Sequence, residues 1–277
     1  SVQPLFISSD LTHRYSQFGY WVEHILSRLL EVLRDPGHPH YFALKSLMRM
    51  NHEIEEILHC PLKGKPGPGV VRPDTVLSEN GFHAHEFNVS WPGGVADTDI
   101  IMGTLAQNTL FNKFRDHLSH EGRDIILPEH NLSCKLLLEE LIDTAGKARP
   151  FIALVHPRPY GPDGSDLHLA EYLRDAILEE GHDCALIFPD QLEMLAHTPS
   201  FQGREIDVVY RFFEWHHVQQ DPGFLGYRRI LRAAMNGDLA VVNSFTSEAL
   251  SAKSVFEILW DANLSEIFDS DVVGDIR

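Results

Sequence analysis

The sequence predicts an α+β N-terminal part, built of helices and an antiparallel hairpin, followed by an α/β domain with an open parallel sheet. Three observations carry that expectation. Apolar residues recur at helical spacing up to about residue 58. Two short strand-like stretches then flank a turn signal at Asn80-Gly81. After Arg149, short continuous apolar runs alternate with amphipathic helical pattern, the texture of β-α-β units.

In the first stretch, Tyr20-Trp21-Val22, Ile25-Leu26, Leu29-Leu30 and Leu33 mark one face of a helix, which Asp35-Pro36-Gly37 stops. A second helix is expected over about 41–58, with Leu44, Leu47, Met48, Ile54 and Ile57 on its apolar side. The run Lys63-Gly64-Lys65-Pro66-Gly67-Pro68-Gly69 reads as a loop. Residues 70–77 and 82–89 are the expected hairpin strands, with Asn80-Gly81 as their turn. Trp91-Pro92-Gly93-Gly94 ends the second strand, and helical pattern resumes to about His120.

Residues 151–155 form a continuous apolar run, as in a buried parallel strand. Residues 166–180 read as an amphipathic helix, capped by Ser165 or Asp166 and stopped by Gly181. Further strands are expected at 184–188, 206–210 and 239–243, with a helix near 227–235. Together these make an open, Rossmann-like parallel sheet of about four strands. The expected division is 1–148 for the helical and hairpin part, 149–263 for the α/β part, and 264–277 for the start of a further region.

Composition narrows the function classes. The hydrophobic fraction of 43% and charged fraction of 23% are those of a globular protein. The 23 Lys and Arg against 40 Asp and Glu give a net charge of −17, which repels phosphate backbones and argues against nucleic acid as a general partner. Cys60, Cys134 and Cys184 are odd in number and scattered, so neither a zinc ribbon nor a disulfide framework is expected, and a cytoplasmic location is. No apolar run approaches the roughly 20 residues that span a bilayer, so no membrane partner is expected. The start has no basic region followed by an apolar one, so no signal peptide is read there.

The densest chemistry is Arg72-Pro73-Asp74 followed by Glu86-Phe87-Asn88-Val89-Ser90, then Gly93-Gly94. Residues two apart share a strand face, so Arg72 pairs with Asp74 and Glu86 with Asn88. Magnesium takes hard oxygen ligands, usually one or two carboxylates together with substrate phosphates. Asp74, Glu86 and Asn88 offer such oxygens, and the planar fork of Arg72 suits a phosphate in transfer. The same spacing also fits a hairpin whose polar face is simply solvated.

These residues resemble the motifs of the glutathionylspermidine synthase family, and are similar to those of eukaryotic-type glutathione synthetases, both circularly permuted ATP-grasp enzymes. The resemblance runs on through Asp207-Val208-Val209-Tyr210-Arg211, then Val241-Val242-Asn243-Ser244, then Ser251-Ala252-Lys253-Ser254, in the family's order from about residue 70 to 260. Ala252 and Ser244 stand where the family pattern has Asn and Pro. The resemblance implies ATP and Mg²⁺ as cofactors, with Asp74, Glu86 and Asn88 on the metal and Arg72 on the transferred phosphate. It further implies Ser90 facing the acceptor substrate, Arg211 on a substrate carboxylate and Lys253 near the nucleotide. The family continues into a β-rich nucleotide-grasping lid, so the resemblance also implies that this chain lacks that C-terminal portion.

His83-Ala84-His85-Glu86 has the look of a metal-hydrolase strand, but strand alternation turns both imidazoles away from Glu86. The loop after the first parallel strand holds Arg158, Tyr160, Ser165 and Asp166, placed where open α/β sheets bind ligands; a rigid surface loop explains them equally well. No dinucleotide fingerprint, P-loop or Gly-x-Ser-x-Gly elbow is present. The expected function is therefore a ligase that joins a small carboxylate to an amine through an acyl phosphate. Two alternatives stand beside it: a non-catalytic ligand-binding module, and a His/Glu metal hydrolase. The expected partners are the two small-molecule substrates, with a homodimer left open.

Overall fold

The computed structural model describes residues 7–78, 81–158, 167–220 and 224–268. Helix α1 (Ser9–Arg34) starts where the Ser8 hydroxyl accepts the Leu11 N–H at 3.2 Å, and it buries Val22, Ile25, Leu26, Leu29, Leu30 and Leu33. The expected second helix is in fact two, α2 (Tyr41–Leu47) and α3 (His52–Leu58). Arg49 between them takes a left-handed φ of 50°, and the Asn51 carboxamide caps the new start by accepting the Ile54 N–H at 2.9 Å. The antiparallel hairpin follows as β1 (Arg72–Ser78) and β2 (Gly81–Asn88).

The helical stretch before residue 120 also divides, into α4 (Val95–Gln107) and α5 (Thr109–His120), because the Asn108 side chain caps α5 through the Phe111 N–H at 3.0 Å. Helix α6 (Leu132–Ala145), which no sequence pattern announced, has no local side-chain cap. Asp99 of α4 supplies one from a distance, accepting the N–H groups of Ser133 at 3.1 Å and Cys134 at 2.8 Å.

Next come β3 (Ile152–Val155), α7 (Leu167–Glu179) and β4 (Cys184–Ile187). Three short strands, β5 (Glu193–Leu195), β6 (Thr198–Phe201) and β7 (Arg204–Glu205), form an antiparallel sheet that the sequence pattern did not announce. The chain continues through β8 (Val208–Arg211), α8 (Trp215–Gln220), α9 (Phe224–Met235), β9 (Ala240–Val242) and α10 (Ser254–Trp260).

Two compact units result. One is drawn from Ser1–His59, Pro73–Val89 and Thr246–Arg277, the other from Cys60–Arg72 and Ser90–Phe245. The second unit contains the expected four-stranded parallel sheet, in the order β4-β3-β8-β9. Its core packs Leu137, Leu141, Ile152, Leu154, Leu173 and Val208, each at most 2% exposed. Burying each such side chain contributes about 1.5–3 kcal/mol. Asp207 pins β8 to β3, accepting the Phe151 N–H at 2.8 Å and pairing with Lys147 at 2.5 Å.

The free edge of β9 is covered by the Gly/Pro loop of the same unit. Lys63 makes a parallel bridge to Ala240, and Lys65 pairs with Glu140 and Asp143, each at 2.8 Å. Gly64, at φ 83°, has no room for a side chain, since a Cβ there would lie 2.7 Å from the Thr144 carbonyl oxygen.

Candidate functional site

In the first unit the candidate metal donors sit on the hairpin. Asp74, Glu86 and Asn88 are all half-buried, and Phe87 between the last two is 7% exposed, as alternation along β2 requires. Phe87 packs on Phe256 of α10 at a ring distance of 4.8 Å. That contact anchors α10, whose N-cap residue is Lys253. Lys253 Nζ consequently lies 3.8 Å from Glu86 Oε2. The hairpin is tied further to α1 by a 2.7 Å hydrogen bond between the Tyr15 and Thr75 hydroxyls.

His83 and His85 are exposed, and His83 Nε2 shares a 2.8 Å hydrogen bond with Ser78 Oγ. Among the described residues, no group of three or more His, Cys, Asp or Glu side chains is placed to hold a metal.

In the second unit, Arg72 is exposed and its Nη1 donates to the Gly93 carbonyl at 2.9 Å. Gly94 then caps α4 with a left-handed φ of 95° and no side-chain hydrogen bond. Beside this turn is a small pocket walled by Trp91, Gly93, Val95, Leu173, Tyr210 and Phe212. Ser90, half-buried, directly precedes it.

Strands β3 and β8 form the switch point of the sheet, since the chain leaves β3 towards β4 on one side and leaves β8 towards β9 on the other. Arg158 follows β3. It is exposed and bound to Asp190 through Nε–Oδ1 at 3.1 Å and Nη2–Oδ2 at 2.5 Å, above the Phe188 ring at 4.9 Å. The hydrogen bonds of this pair hold the Arg158 pKa above its ordinary value and that of Asp190 below. Tyr160, Ser165 and Asp166 lie outside the described residues.

Arg211 ends β8 at 0% exposure. Its guanidinium donates to the carbonyls of Asn243 at 2.7 Å, Phe213 at 3.3 Å and Ser244 at 3.4 Å, with the Phe245 ring at 5.0 Å. A buried cation held by backbone oxygens fixes the segment after β9. In the sequence Asn243 stands only within the motif Val241-Val242-Asn243-Ser244, and no local pattern marks its pairing, because its partner Val70 lies 173 residues away.

Among the described residues, no helix is long and apolar enough to cross a membrane. No family model and no curated protein matches the chain. Among solved structures it is similar to a glutathione synthetase-like effector from Globodera pallida in its apo form. The TM-score is 0.60 at 12% sequence identity, over 99% of this chain and 61% of that one, a likeness of fold. This chain spans 61% of the length of the structure it matches.

Proposed function

We propose that this chain carries the metal-binding and substrate-binding parts of an ATP-dependent ligase that joins a small, peptide-like carboxylate to an amine. The observation that carries the proposal is the hairpin, on which Asp74, Glu86 and Asn88 lie half-buried, with Lys253 3.8 Å from Glu86. The donor set is all oxygen and suits magnesium, which relies on substrate phosphates to complete its shell. When bound, the ion would neutralise nucleotide phosphate charge. The shared fold with a glutathione synthetase-like protein supports the same class.

In that reaction the terminal phosphoryl group of ATP passes to a carboxylate oxygen and ADP leaves. The amine nitrogen then attacks the acyl carbon, loses a proton, and expels phosphate. Asp74, Glu86 and Asn88 would hold the metal on the nucleotide phosphates, and Lys253 would contribute a cation to them. Arg72 takes the transferred phosphate through guanidinium hydrogen bonds, which act by position and charge rather than by covalent chemistry. Ser90 and the switch-point loop bearing Arg158 receive the acceptor, while buried Arg211 acts by holding the backbone after β9.

The test is ADP release by the full-length protein with Mg-ATP and a panel of small peptides, amino acids and polyamines, alongside Glu86→Gln. Substrate-dependent release that the variant loses is the expected result. Peptide binding by calorimetry without ADP release from any combination would replace the ligase with a binding module.

A further inference from the structure

We propose that Asn243 is a positioning residue for Arg72, its carboxamide standing in for a neighbouring strand's peptide group opposite Val70. This rests on the phosphate role of Arg72 proposed above. Asn243 follows β9 at 1% exposure. Its Oδ1 accepts the Val70 N–H at 2.8 Å and its Nδ2 donates to the Val70 carbonyl at 2.6 Å. One side chain thus makes both bonds of a strand pair, at the point where β9 itself has ended.

The pairing is specific to a carboxamide, which alone among uncharged side chains offers an acceptor and an amide donor side by side, as a peptide group does. Aspartate keeps the acceptor and loses the donor; alanine loses both, leaving two backbone groups of Val70 without these partners. The carboxamide is itself fixed from behind, because the Asn243 backbone carbonyl accepts Arg211 Nε at 2.7 Å. At the far end of the same loop, Lys63 bridges Ala240. The loop is therefore fastened along β9 at both ends, and Val70 is its last fastened residue before Arg72. Arg72 in turn reaches Gly93 at 2.9 Å. The path Arg211–Asn243–Val70–Arg72–Gly93 runs wholly within one compact unit.

The experiment is a double-mutant cycle in the full-length protein. Asn243→Ala should lower kcat for ADP release on the order of 100-fold, the effect of an ångström-scale misplacement, while KM for Mg-ATP moves less than roughly threefold. In an Arg72→Ala background the same change should add nothing further. Losses that multiply in the double variant would mean general damage and overturn the proposal. In Asn243→Ala, which removes the acceptor of the Val70 N–H, amide exchange at Val70 should accelerate roughly tenfold or more; if that variant does not fold, Asn243→Asp takes its place in the cycle. If the wild type releases no ADP, the ligase proposal fails, and the positioning claim is read without turnover. Inorganic pyrophosphate should then shift the Arg72 Nε–H resonance in the wild type and not in Asn243→Asp. Unchanged Val70 exchange, or an equal Arg72 shift in both proteins, would overturn it.

Discussion

Lys253 Nζ stands 3.8 Å from Glu86 Oε2, which couples the start of α10 to the polar face of β2. The two side chains are 72% and 41% exposed, so water and salt screen their attraction. Lys253→Ala should therefore change stability by no more than about 0.5 kcal/mol. Its effect on nucleotide should be larger, with Mg-ATP affinity falling roughly tenfold. Thermal denaturation and calorimetry on one preparation separate the two. A large drop in melting temperature with unchanged affinity would make the lysine structural.

Asp207 should make the second unit sensitive to acid. Burial pushes its carboxyl upward, but the Lys147 ammonium and the Phe151 N–H outweigh that and hold its pKa below the ordinary 3.8. A group whose folded pKa is depressed adds stability above its unfolded pKa and loses it as pH falls through the folded one. Urea midpoints measured from about pH 5 down to about pH 2 should fall, and Asp207→Asn should flatten that slope. An equal slope in the variant would assign the acid loss to other carboxylates.

Gly226, in the first turn of α9, packs directly against the backbone of Pro189. A Cβ there would lie 2.0 Å from the Pro189 carbonyl oxygen and 2.5 Å from its carbon, both backbone atoms that cannot step aside alone. Gly226→Ala should cost about 2–4 kcal/mol, read from the shift in chemical denaturation midpoint. A neutral result would mean that α9 slides freely on the turn around Pro189.

The three thiols should differ in reactivity. Burial pushes Cys184 up to about 12, and burial with the Asp99 carboxylate pushes buried Cys134 well above the usual thiol range. Both stay protonated near neutral pH and are poor nucleophiles. A chromogenic disulfide reagent should therefore titrate Cys60, which is half-buried, in the native protein, and the other two only in denaturant. Rapid reaction of all three would show that the second unit opens readily.

What the sequence made legible follows from how local each signal is. Strands β3, β4, β8 and β9 are short apolar runs that the pattern places to within about two residues; in β3, β8 and β9 this follows because a fully buried strand is apolar on both faces. The hairpin strands were legible from alternation; the Asn80 half of the expected turn lies outside the described residues. Sheet β5-β6-β7 escaped because strands of two to four residues hold too few positions to show a period. Helix α6 has its cap on α4, thirty-odd residues away, so no start signal stands in front of it. At the site, residue types around Glu86 and Asn88 were enough to nominate them. The burial of Arg211 and the pairing of Asn243 with Val70 were not readable, since both depend on residues brought together from distant parts of the chain.

The interleaving of the two units has a consequence for synthesis. The first unit needs residues from both ends of the described chain: Arg28 donates to the Ile267 carbonyl at 3.4 Å, and Ser254 to the Met48 sulfur at 3.3 Å. Helices α1 to α3 therefore emerge from the ribosome with part of their packing surface not yet translated. The second unit, complete once Phe245 has emerged, can close first. The N-terminal helices must keep their apolar faces from aggregating until the segment from Thr246 arrives, so chaperone demand in this protein should fall on its oldest residues rather than its newest.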